Sequence, residues 1–274
     1  MPADLHIHSC FSDGLLTPEE IVSKAREAGL TAISLTDHDT VDGLPRAIAA
    51  AQKEGIKLVP GIELTTDIGD TEIHMLGYYI DYKAEWFVEL LAKIRDDRVN
   101  RVGKIVQKLN ALGIDIKAED ITKLASKGSI GRPHVARALI EKGVVSTIQE
   151  AFNKYLDIHG PAYVPHFKLT PHEAIDTINK AGGIAVFAHP AVSRKDEMIG
   201  ELAAHGLSGL EVYYSRHSYF QVRHYLSLAK KFKLLVSGGS DFHGMGTGRD
   251  VALGDVKLSD EYFKKIEERG PHGH

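Results

Sequence analysis

The sequence predicts an α/β fold in which strands and helices alternate along the chain. From Asp4 onward, short runs of β-branched or aliphatic residues alternate with amphipathic stretches, which is the pattern of βα units around a parallel sheet. The composition is that of a globular protein: 274 residues, 43% of them apolar, with 33 Lys and Arg against 37 Asp and Glu. These numbers exclude a disordered, collagen-like or coiled-coil chain.

The first eighty residues follow the βα pattern without interruption. Thr17 and Pro18 predict the start of the first helix, as its N-cap and first helical residue, and Gly29 predicts its end. The predicted strands are 3–8, 31–39, 57–64 and 72–80, and the predicted helices are 16–30 and 43–55.

A different pattern follows between residues 81 and 160. Helical periodicity is continuous in 86–113, 133–143 and 147–156, and no convincing strand separates these stretches. The charge also changes, because residues 81–160 carry 14 Lys and Arg against 11 Asp and Glu, whereas the remainder carries 19 against 26. The sequence therefore predicts a helical insert at 81–160.

The alternation of strands and helices resumes after Pro161. The predicted helices are 170–183, 195–206 and 219–231, and the predicted strands are 184–190, 210–214 and 234–244. We therefore expect one discontinuous α/β domain, formed by 1–80 and 161–274, with the helical insert between its two parts.

Cysteine usage and hydropathy bear on the compartment. Cys10 is the single cysteine, so an intramolecular disulfide is excluded, and the N-terminus has no basic start followed by an apolar run. No window approaches 18 consecutive apolar residues. The sequence predicts a cytoplasmic protein that does not bind a membrane.

Histidine is unusually abundant, with 15 residues, and its placement points to a metal site. Residues i and i+2 of a strand point to the same face, so His6 and His8 are expected to project together, as are Asp241 and His243. Side chains of the same types follow or end other predicted strands. The full candidate set is His6, His8, Asp13, His38, Glu63, His74, His189, Asp241 and His243.

Each of these residues also has a structural interpretation. A lone His at a strand end is more often a satisfied polar residue than a ligand, and Asp13 could simply begin a turn with Gly14. The ordered set is much harder to explain without a metal. Asp37 and Asp39 flank His38 and are expected to accept its imidazole proton.

The motifs that carry these residues resemble those of a known family. DLHIHSCFSDG, ISLTDHDT, GIEL, FAHP and SGGSDFH resemble the motifs of the PHP (polymerase and histidinol phosphatase) family of metal-dependent phosphoesterases. The resemblance covers residues 3–79 and about 161–255. It implies a distorted (β/α)7 TIM-like barrel with its metal centre at the C-terminal face of the barrel, and an insert that covers this active site.

The resemblance also implies which residues share an ion. It implies two to three divalent cations held by His6, His8, Glu63 and Asp241; by Glu63, His74 and His189; and by Asp13, His38 and His243. His and carboxylate ligands suit Mn, Zn or Fe and do not distinguish among them.

This sequence differs from those of histidinol phosphatases in two ways that favour a nucleotide substrate. Asp13 stands where those enzymes usually have a His, and GRPHVARAL in the insert resembles the stand-alone branch of nucleoside 3′,5′-bisphosphate phosphatases and 5′→3′ exoribonucleases. This resemblance implies that Arg132 and His134 contact the substrate phosphate. Arg216 and His217, after another predicted strand, are further substrate-binding candidates.

The expected mechanism uses metal-activated water as the nucleophile, so no covalent intermediate is required. His134, His217 or a metal-bound water could supply the proton of the leaving group. The alternative interpretation of Pro133 is that GRPH only begins a helix.

Three other functions stay open at this point. They are a histidinol-phosphate phosphatase, an amidohydrolase-like metal hydrolase, and a non-catalytic nucleic-acid accessory module. A net charge of −4 argues against stable binding of duplex nucleic acid. We expect a small phosphorylated partner, a nucleotide or a short oligonucleotide, and the sequence leaves the oligomeric state open.

Overall fold

In the computed structural model, seven β-strands form one sheet that curls into a nearly closed barrel. The structure describes residues 2–69, 71–124, 130–165, 169–247 and 251–270. The strands found there are β1 (Ala3–Ile7), β2 (Ala32–Leu35), β3 (Lys57–Ile68), β4 (Thr71–Tyr78), β5 (Ile184–Phe187), β6 (Gly209–Tyr214) and β7 (Leu235–Gly239). Their order in the sheet is their order in the chain.

Helices connect the strands and follow the last one. Over the same described ranges they are α1 (Pro18–Glu27), α2 (Leu44–Glu54), α3 (Glu85–Ala111), α4 (Ala118–Leu124), α5 (Arg132–Glu141), α6 (Ile148–Ala151), α7 (Pro171–Lys180), α8 (Pro190–Ser193), α9 (Ile199–His205), α10 (Tyr219–Phe232) and α11 (Asp260–Arg269). Thr17 caps α1 as expected, since its side chain accepts the Glu20 N–H. The α/β fold class is confirmed, although α4, α8 and α11 have no counterpart among the predicted helices.

One strand departs from the parallel sheet that the sequence pattern predicts. β1, β2 and β3 are parallel to one another, as are β5, β6 and β7, but β4 is antiparallel to both β3 and β5. The reason is the length of the connection, because β3 ends at Ile68 and β4 begins at Thr71. Two residues suffice for a hairpin, whereas a parallel crossover needs a dozen or more.

The barrel closes where the first strand meets the segment after the last one. The His8 N–H donates to the Phe242 carbonyl at 2.9 Å, and the Asp241 N–H donates to the His6 carbonyl at 2.8 Å. Ile7 and Phe242 form a parallel β-bridge at the same place. The residues of the two chain ends that are predicted to bind metal are therefore held next to each other by backbone hydrogen bonds.

Apolar side chains form separate clusters in the two parts of the chain. The largest cluster lies between the barrel strands and the surrounding helices, and it includes Phe87, Leu91 and Ile94 from the first half of α3. A second cluster lies within 102–164 and packs α3, α4, α5 and α6 on one another. Helix α3 thus contributes to both clusters.

Hydropathy along the helices adds one observation. Of the helices in the described ranges, none combines the length and the apolar character required to cross a membrane.

Gly239 sits at the closest approach between β1 and β7. A Cβ added at Gly239 would lie 2.4 Å from both the Cβ and the backbone nitrogen of His6. No side chain fits there unless the backbone of β1 moves. The glycine therefore sets the distance at which the strand carrying His6 packs.

We expect Gly239→Ala to lower the free energy of unfolding by about 1–3 kcal/mol, because overpacking a filled interior forces the backbone to shift. The measurement is urea denaturation followed by circular dichroism. Gly103→Ala in α3 is the matched control, since a Cβ there meets nothing within 4 Å. The control should gain about 0.5–1 kcal/mol of stability. A Gly239→Ala protein as stable as the original would contradict the close contact.

Candidate metal centre

Three strands of the barrel deliver candidate ligands at their C-terminal ends. His6 lies in β1 and His8 just after it, His189 follows β5, and Asp241 and His243 follow β7. All five side chains are buried. His189 has a φ of 29° and Asp241 a φ of 55°, values that residues other than glycine rarely adopt. Such backbone strain persists only where the surrounding structure fixes it, and it is concentrated at functional sites.

The middle of the barrel supplies the remaining candidates. His38 forms a parallel β-bridge with Glu63 of β3. His74 of β4 places its Nδ1 2.9 Å from Oε1 of Glu63. Asp13, from the loop after β1, places Oδ1 3.1 Å from Nε2 of His243. The structure thus brings all nine candidates into one continuous cluster.

Three groups within this cluster have the geometry of a metal site. In each group, one ligand atom from every member lies within 4.8 Å of the others. The groups are His8, Asp13, His38 and His243; His6, His8, Glu63 and Asp241; and His38, Glu63 and His74. His189 is outside these groups, although its Nε2 lies 3.0 Å from Oε1 of Glu63.

The hydrogen bonding of the cluster fits a bound cation. Oδ1 of Asp13, Nδ1 of His38 and Oε2 of Glu63 are buried and have no hydrogen-bond partner among the described residues. Buried polar atoms normally have one. Oε2 of Glu63 nevertheless lies 3.2 Å from Nδ1 of His38. Atoms that gather this closely without hydrogen bonds are arranged as ligands, and imidazole nitrogen with carboxylate oxygen is a donor set that divalent transition metals prefer.

Glu211 of β6 orients two of the candidate ligands, His6 and His189, and was not among the residues predicted from the sequence. Its Oε1 lies 2.9 Å from Nδ1 of His6, and its Oε2 accepts the backbone N–H of His189 at 2.7 Å. A carboxylate on Nδ1 fixes the tautomer in which Nε2 of His6 presents its lone pair to the cluster. The available signal was a glutamate within the apolar run LEVYY, which is predicted as a buried strand.

Asp37 and Asp39 have different partners from those expected. Asp37 accepts hydrogen bonds from the Ser9 N–H at 2.7 Å and from the Ser12 hydroxyl at 2.6 Å, so it shapes the loop that leads to Asp13. Asp39 accepts the Thr65 N–H and forms an ion pair with Arg98. The expectation that these carboxylates orient His38 is therefore wrong. Their hydrogen bonds go to the flanking loop and to α3.

The electrostatics of the cluster begin with His6 and His8. Burial alone would lower both pKa values. For His6 the negative charges of Glu211 and Glu63 outweigh burial and raise the pKa well above its ordinary value. For His8, the carboxylates of Asp241 and Glu63, which lie 3.2 and 3.1 Å from its Nε2, outweigh burial and raise the pKa to about 9.

Glu63 shows the opposite balance. Burial would raise its pKa, but His38 and His6 hold the pKa well below the ordinary range for a carboxyl. Burial lowers the pKa of His38 well below that of a free imidazole, despite the nearby charge of Glu63. For His74, burial is outweighed by Glu63 and Glu72, which raise the pKa to about 10. The carboxylate at the centre is therefore ionised and suited to a cation.

The GRPH segment begins a helix and also faces the cluster. Pro133 lies in the first turn of α5. Nη2 of Arg132 donates to Oε2 of Glu72 at 2.8 Å, and the guanidinium lies over the Phe152 ring at 5.5 Å. His134 is fully buried, and its Nδ1 accepts the Gly131 N–H at 3.2 Å. Both interpretations of the motif are therefore compatible with its position.

Arg216 and His217 lie on the loop after β6. Arg216 is exposed, whereas His217 is half-buried and its Nδ1 donates to the Val212 carbonyl at 2.9 Å. The His217 ring packs against Tyr214 and Tyr225, with 5.1 Å between centroids in each case. Burial lowers the pKa of His217.

A small cavity of about 130 Å³ lies beside the cluster. His38 and His74 of the barrel line one side, and Arg98, Arg101 and Arg132 of α3 and α5 line the other. Arg98 and Arg101 were not among the site residues predicted from the sequence. The available signal was the three-residue spacing of arginines in RDDRVNR, which places them on one face of a helix.

A large cavity of about 340 Å³ lies on the other side of Asp13. His243 lines it from the barrel, Arg137 and Phe152 line it from the helical segment, and Arg216 lies at the loop after β6. Arg137 donates from Nη2 to the Asp13 carbonyl at 2.5 Å. Asp13 and Phe152 border both cavities, so both spaces lie next to the candidate ligands.

Comparison with known proteins supports the family predicted from the motifs. The sequence pattern of the family described as PHP domain matches residues 4–164. The 3′,5′-nucleoside bisphosphate phosphatase of Chromobacterium violaceum is 35% identical over 255 residues, which are 90% of this chain and 90% of that protein. The 5′-3′ exoribonuclease Rnm of Salmonella typhimurium is 36% identical over 247 residues, covering 88% of this chain and 84% of that protein.

A solved structure has the same fold over nearly the whole chain. It is a protein of Bifidobacterium adolescentis described as a candidate metal-dependent phosphoesterase, 34% identical, with a TM-score of 0.90 over 98% of this chain and 96% of that one. The barrel, the family pattern and the full-length relatives agree. The family predicted from the motifs is confirmed, and the chain belongs to the PHP domain family of metal-dependent phosphoesterases.

Proposed function

We propose that this chain hydrolyses phosphate esters of nucleotides, with nucleoside 3′,5′-bisphosphates and short 5′-phosphorylated RNA as its substrates. The observation that carries the proposal is the position of the histidine and carboxylate cluster beside two cavities whose other walls contain arginine. A cation site next to guanidinium groups suits a phosphate ester. Both full-length relatives described above are named for reactions at such esters.

The nine clustered residues would hold two to three divalent cations, Mn, Zn or Fe. The sets are His6, His8, Glu63 and Asp241; Glu63 and His74 with His189 or His38; and Asp13, His38 and His243 with His8. When bound, such ions neutralise phosphate oxygens and lower the pKa of the water that serves as nucleophile. The negative charges of Asp13, Glu63 and Asp241 in a buried site favour their binding.

Arg132 is the candidate for orienting the ester. Its guanidinium is held by Glu72 and by the Phe152 ring, and a guanidinium fixed in this way presents its remaining N–H groups in a defined direction. Two parallel N–H donors match two oxygens of a phosphate. We propose that Arg132 binds the phosphate group in both the ground state and the transition state.

The imidazole of His134 is a neutral hydrogen-bond donor. Burial lowers its pKa to about 4, so the ring is uncharged near neutral pH. Because Nδ1 accepts the Gly131 N–H, the proton of the ring is on Nε2. His134 therefore serves better to position groups at the small cavity than to donate a proton as an imidazolium.

Residues 81–160 form the proposed insert that covers the active site. Arg98 pairs with Asp39, and Arg137 donates to the backbone of Asp13, so helices α3 and α5 are tied to the barrel next to the ligands. A cover of this kind excludes water from the reacting groups and strengthens their electrostatic interactions. Its own apolar cluster gives it a fixed shape.

Nucleotide substrates are favoured over the alternatives. A histidinol-phosphate phosphatase would share the ligands, but both full-length relatives above are named for nucleotide or RNA substrates. A non-catalytic accessory module would not require a complete buried set of ligands. One solved structure, from Chromobacterium violaceum, is described as an amidohydrolase with bound sulfate; it is 32% identical, with a TM-score of 0.88 over 97% of this chain and 96% of that one. The arginines that line both cavities favour a phosphate ester over a C–N bond as the group that is hydrolysed.

The first test measures phosphate release from adenosine 3′,5′-bisphosphate by protein purified with Mn²⁺. We expect adenosine 5′-monophosphate and phosphate as products, no reaction after chelator treatment, and trimming of a short 5′-phosphorylated RNA to mononucleotides. Histidinol phosphate is assayed in parallel. Hydrolysis of histidinol phosphate with no reaction on either nucleotide substrate would overturn the proposal.

The second test removes the shared carboxylate. Glu63→Gln should lose at least one bound ion per chain and reduce hydrolysis by more than about 100-fold, because even partners behind a ligand typically contribute 10–100-fold. Metal content is measured by elemental analysis of the purified protein. Glu89→Gln, at an exposed position of α3, is the control and should keep both properties. Full activity with unchanged metal content in Glu63→Gln would refute the assignment.

A further inference from the structure

Arg101 is a buried cation whose charge has no carboxylate partner among the described residues. It is 6% exposed, its Nε donates to the Val164 carbonyl at 2.6 Å, and its Nη2 is buried without a hydrogen-bond partner. Its guanidinium also lies over the Tyr163 ring at 5.6 Å. Burying an unpaired charge is costly, so such groups normally have a counter-ion.

The two neighbouring arginines of the small cavity each have a carboxylate partner. Arg98 is paired with Asp39, and Arg132 is paired with Glu72. Arg101 lines the same cavity and has neither partner. Burial and the like charge of Arg132 lower the pKa of Arg101 to about 10, which leaves it charged near neutral pH. Glu72 also acts on the charge of Arg101, but it is already paired with Arg132. An anion bound next to Arg101 would supply the counter-ion that its guanidinium lacks.

The size of the cavity limits what this anion can be. At about 130 Å³, the small cavity has less than half the volume of the large one, so it suits a single phosphate group better than a nucleoside. The large cavity, at about 340 Å³, is within the range of small-molecule sites. A nucleotide at the cluster would thus place its nucleoside in the large cavity and a second anionic group in the small one.

We infer that Arg101 binds the phosphate group of the substrate that is not hydrolysed, so that the small cavity selects nucleotides with a second phosphate over those with one. This inference rests on the proposed function for the identity of the substrate. It assigns the preference for a bisphosphate or a 5′-phosphorylated strand to a residue of α3. The ester that reacts stays at the histidine and carboxylate cluster.

The kinetic test compares adenosine 3′,5′-bisphosphate with adenosine 3′-monophosphate. Arg101→Gln should lower kcat/KM for the bisphosphate by about 10- to 100-fold, the worth of a hydrogen bond to a charged group, and change kcat/KM for the monophosphate by less than about 3-fold. Arg95→Gln is the matched control on the same helix, because Arg95 is an exposed partner of Asp42. Arg95→Gln should leave kcat/KM unchanged for both the bisphosphate and the monophosphate.

Arg101→Lys is the control for a folding defect, because Arg101→Gln removes the guanidinium that donates to the Val164 carbonyl. Lys keeps the positive charge but lacks the planar guanidinium. The preference of Arg101→Lys for the bisphosphate over the monophosphate should therefore lie between that of the original protein and that of Arg101→Gln. An equal loss on both substrates in the folded variants, or no loss on either, would overturn the inference. Unfolding midpoints of all variants are measured alongside.

A binding measurement separates this inference from the proposed function. Calorimetry on chelator-treated protein compares adenosine 5′-monophosphate, which carries the second phosphate alone, with adenosine. The original protein should bind the monophosphate at least about 10-fold more tightly than adenosine, and Arg101→Gln should remove that difference. Equal affinities in the original protein would refute the phosphate site. An Arg101-dependent difference without hydrolysis of any nucleotide would uphold the site and refute the proposed function.

Discussion

The burial of one carboxylate, that of Glu63, is the constraint on which the rest of the site depends. Five imidazoles surround it, with nitrogens 2.9–3.2 Å from its two oxygens: His6, His8, His38, His74 and His189. A buried carboxylate is stable only if polar or charged partners are brought to it. The barrel supplies these imidazoles from strands or strand ends on both sides of β3, so the site forms only when the sheet closes.

Local irregularities of the backbone make this convergence possible. β1 has a register shift between Asp4 and Ile7, and β6 has one between Glu211 and Tyr213. An extra residue in a strand re-aims the side chains next to it, which is why such bulges occur beside active sites. The antiparallel β4 contributes in a similar way, because the hairpin places His74 next to the strand of Glu63. In a regular parallel barrel without these bulges and the hairpin, the ligand side chains would point in other directions.

Much of this architecture could be predicted from the sequence, and the limits have physical causes. Strands and helices followed from local periodicity, and the convergence of His6 with His8 followed from the two-residue repeat of a strand. Local spacing marks Glu211 and Arg101 as unusual but does not identify their partners, which lie 205 and 63 positions away in the chain. Asp37 shows the converse error, since its sequence neighbour His38 is not the group that it binds. Side-chain partners across the fold depend on tertiary packing, which local patterns do not encode.

The continuity of α3 has a consequence for how the molecule opens. The helix has 27 residues and is about 40 Å long, and its two halves belong to different apolar clusters. Arg98, which pairs with the barrel, lies near its middle. The helical segment therefore cannot swing away at its root without breaking a continuous helix and exposing apolar surface on both sides. The barrel and the helical segment are therefore expected to lose protection against amide exchange together, as one cooperative unit.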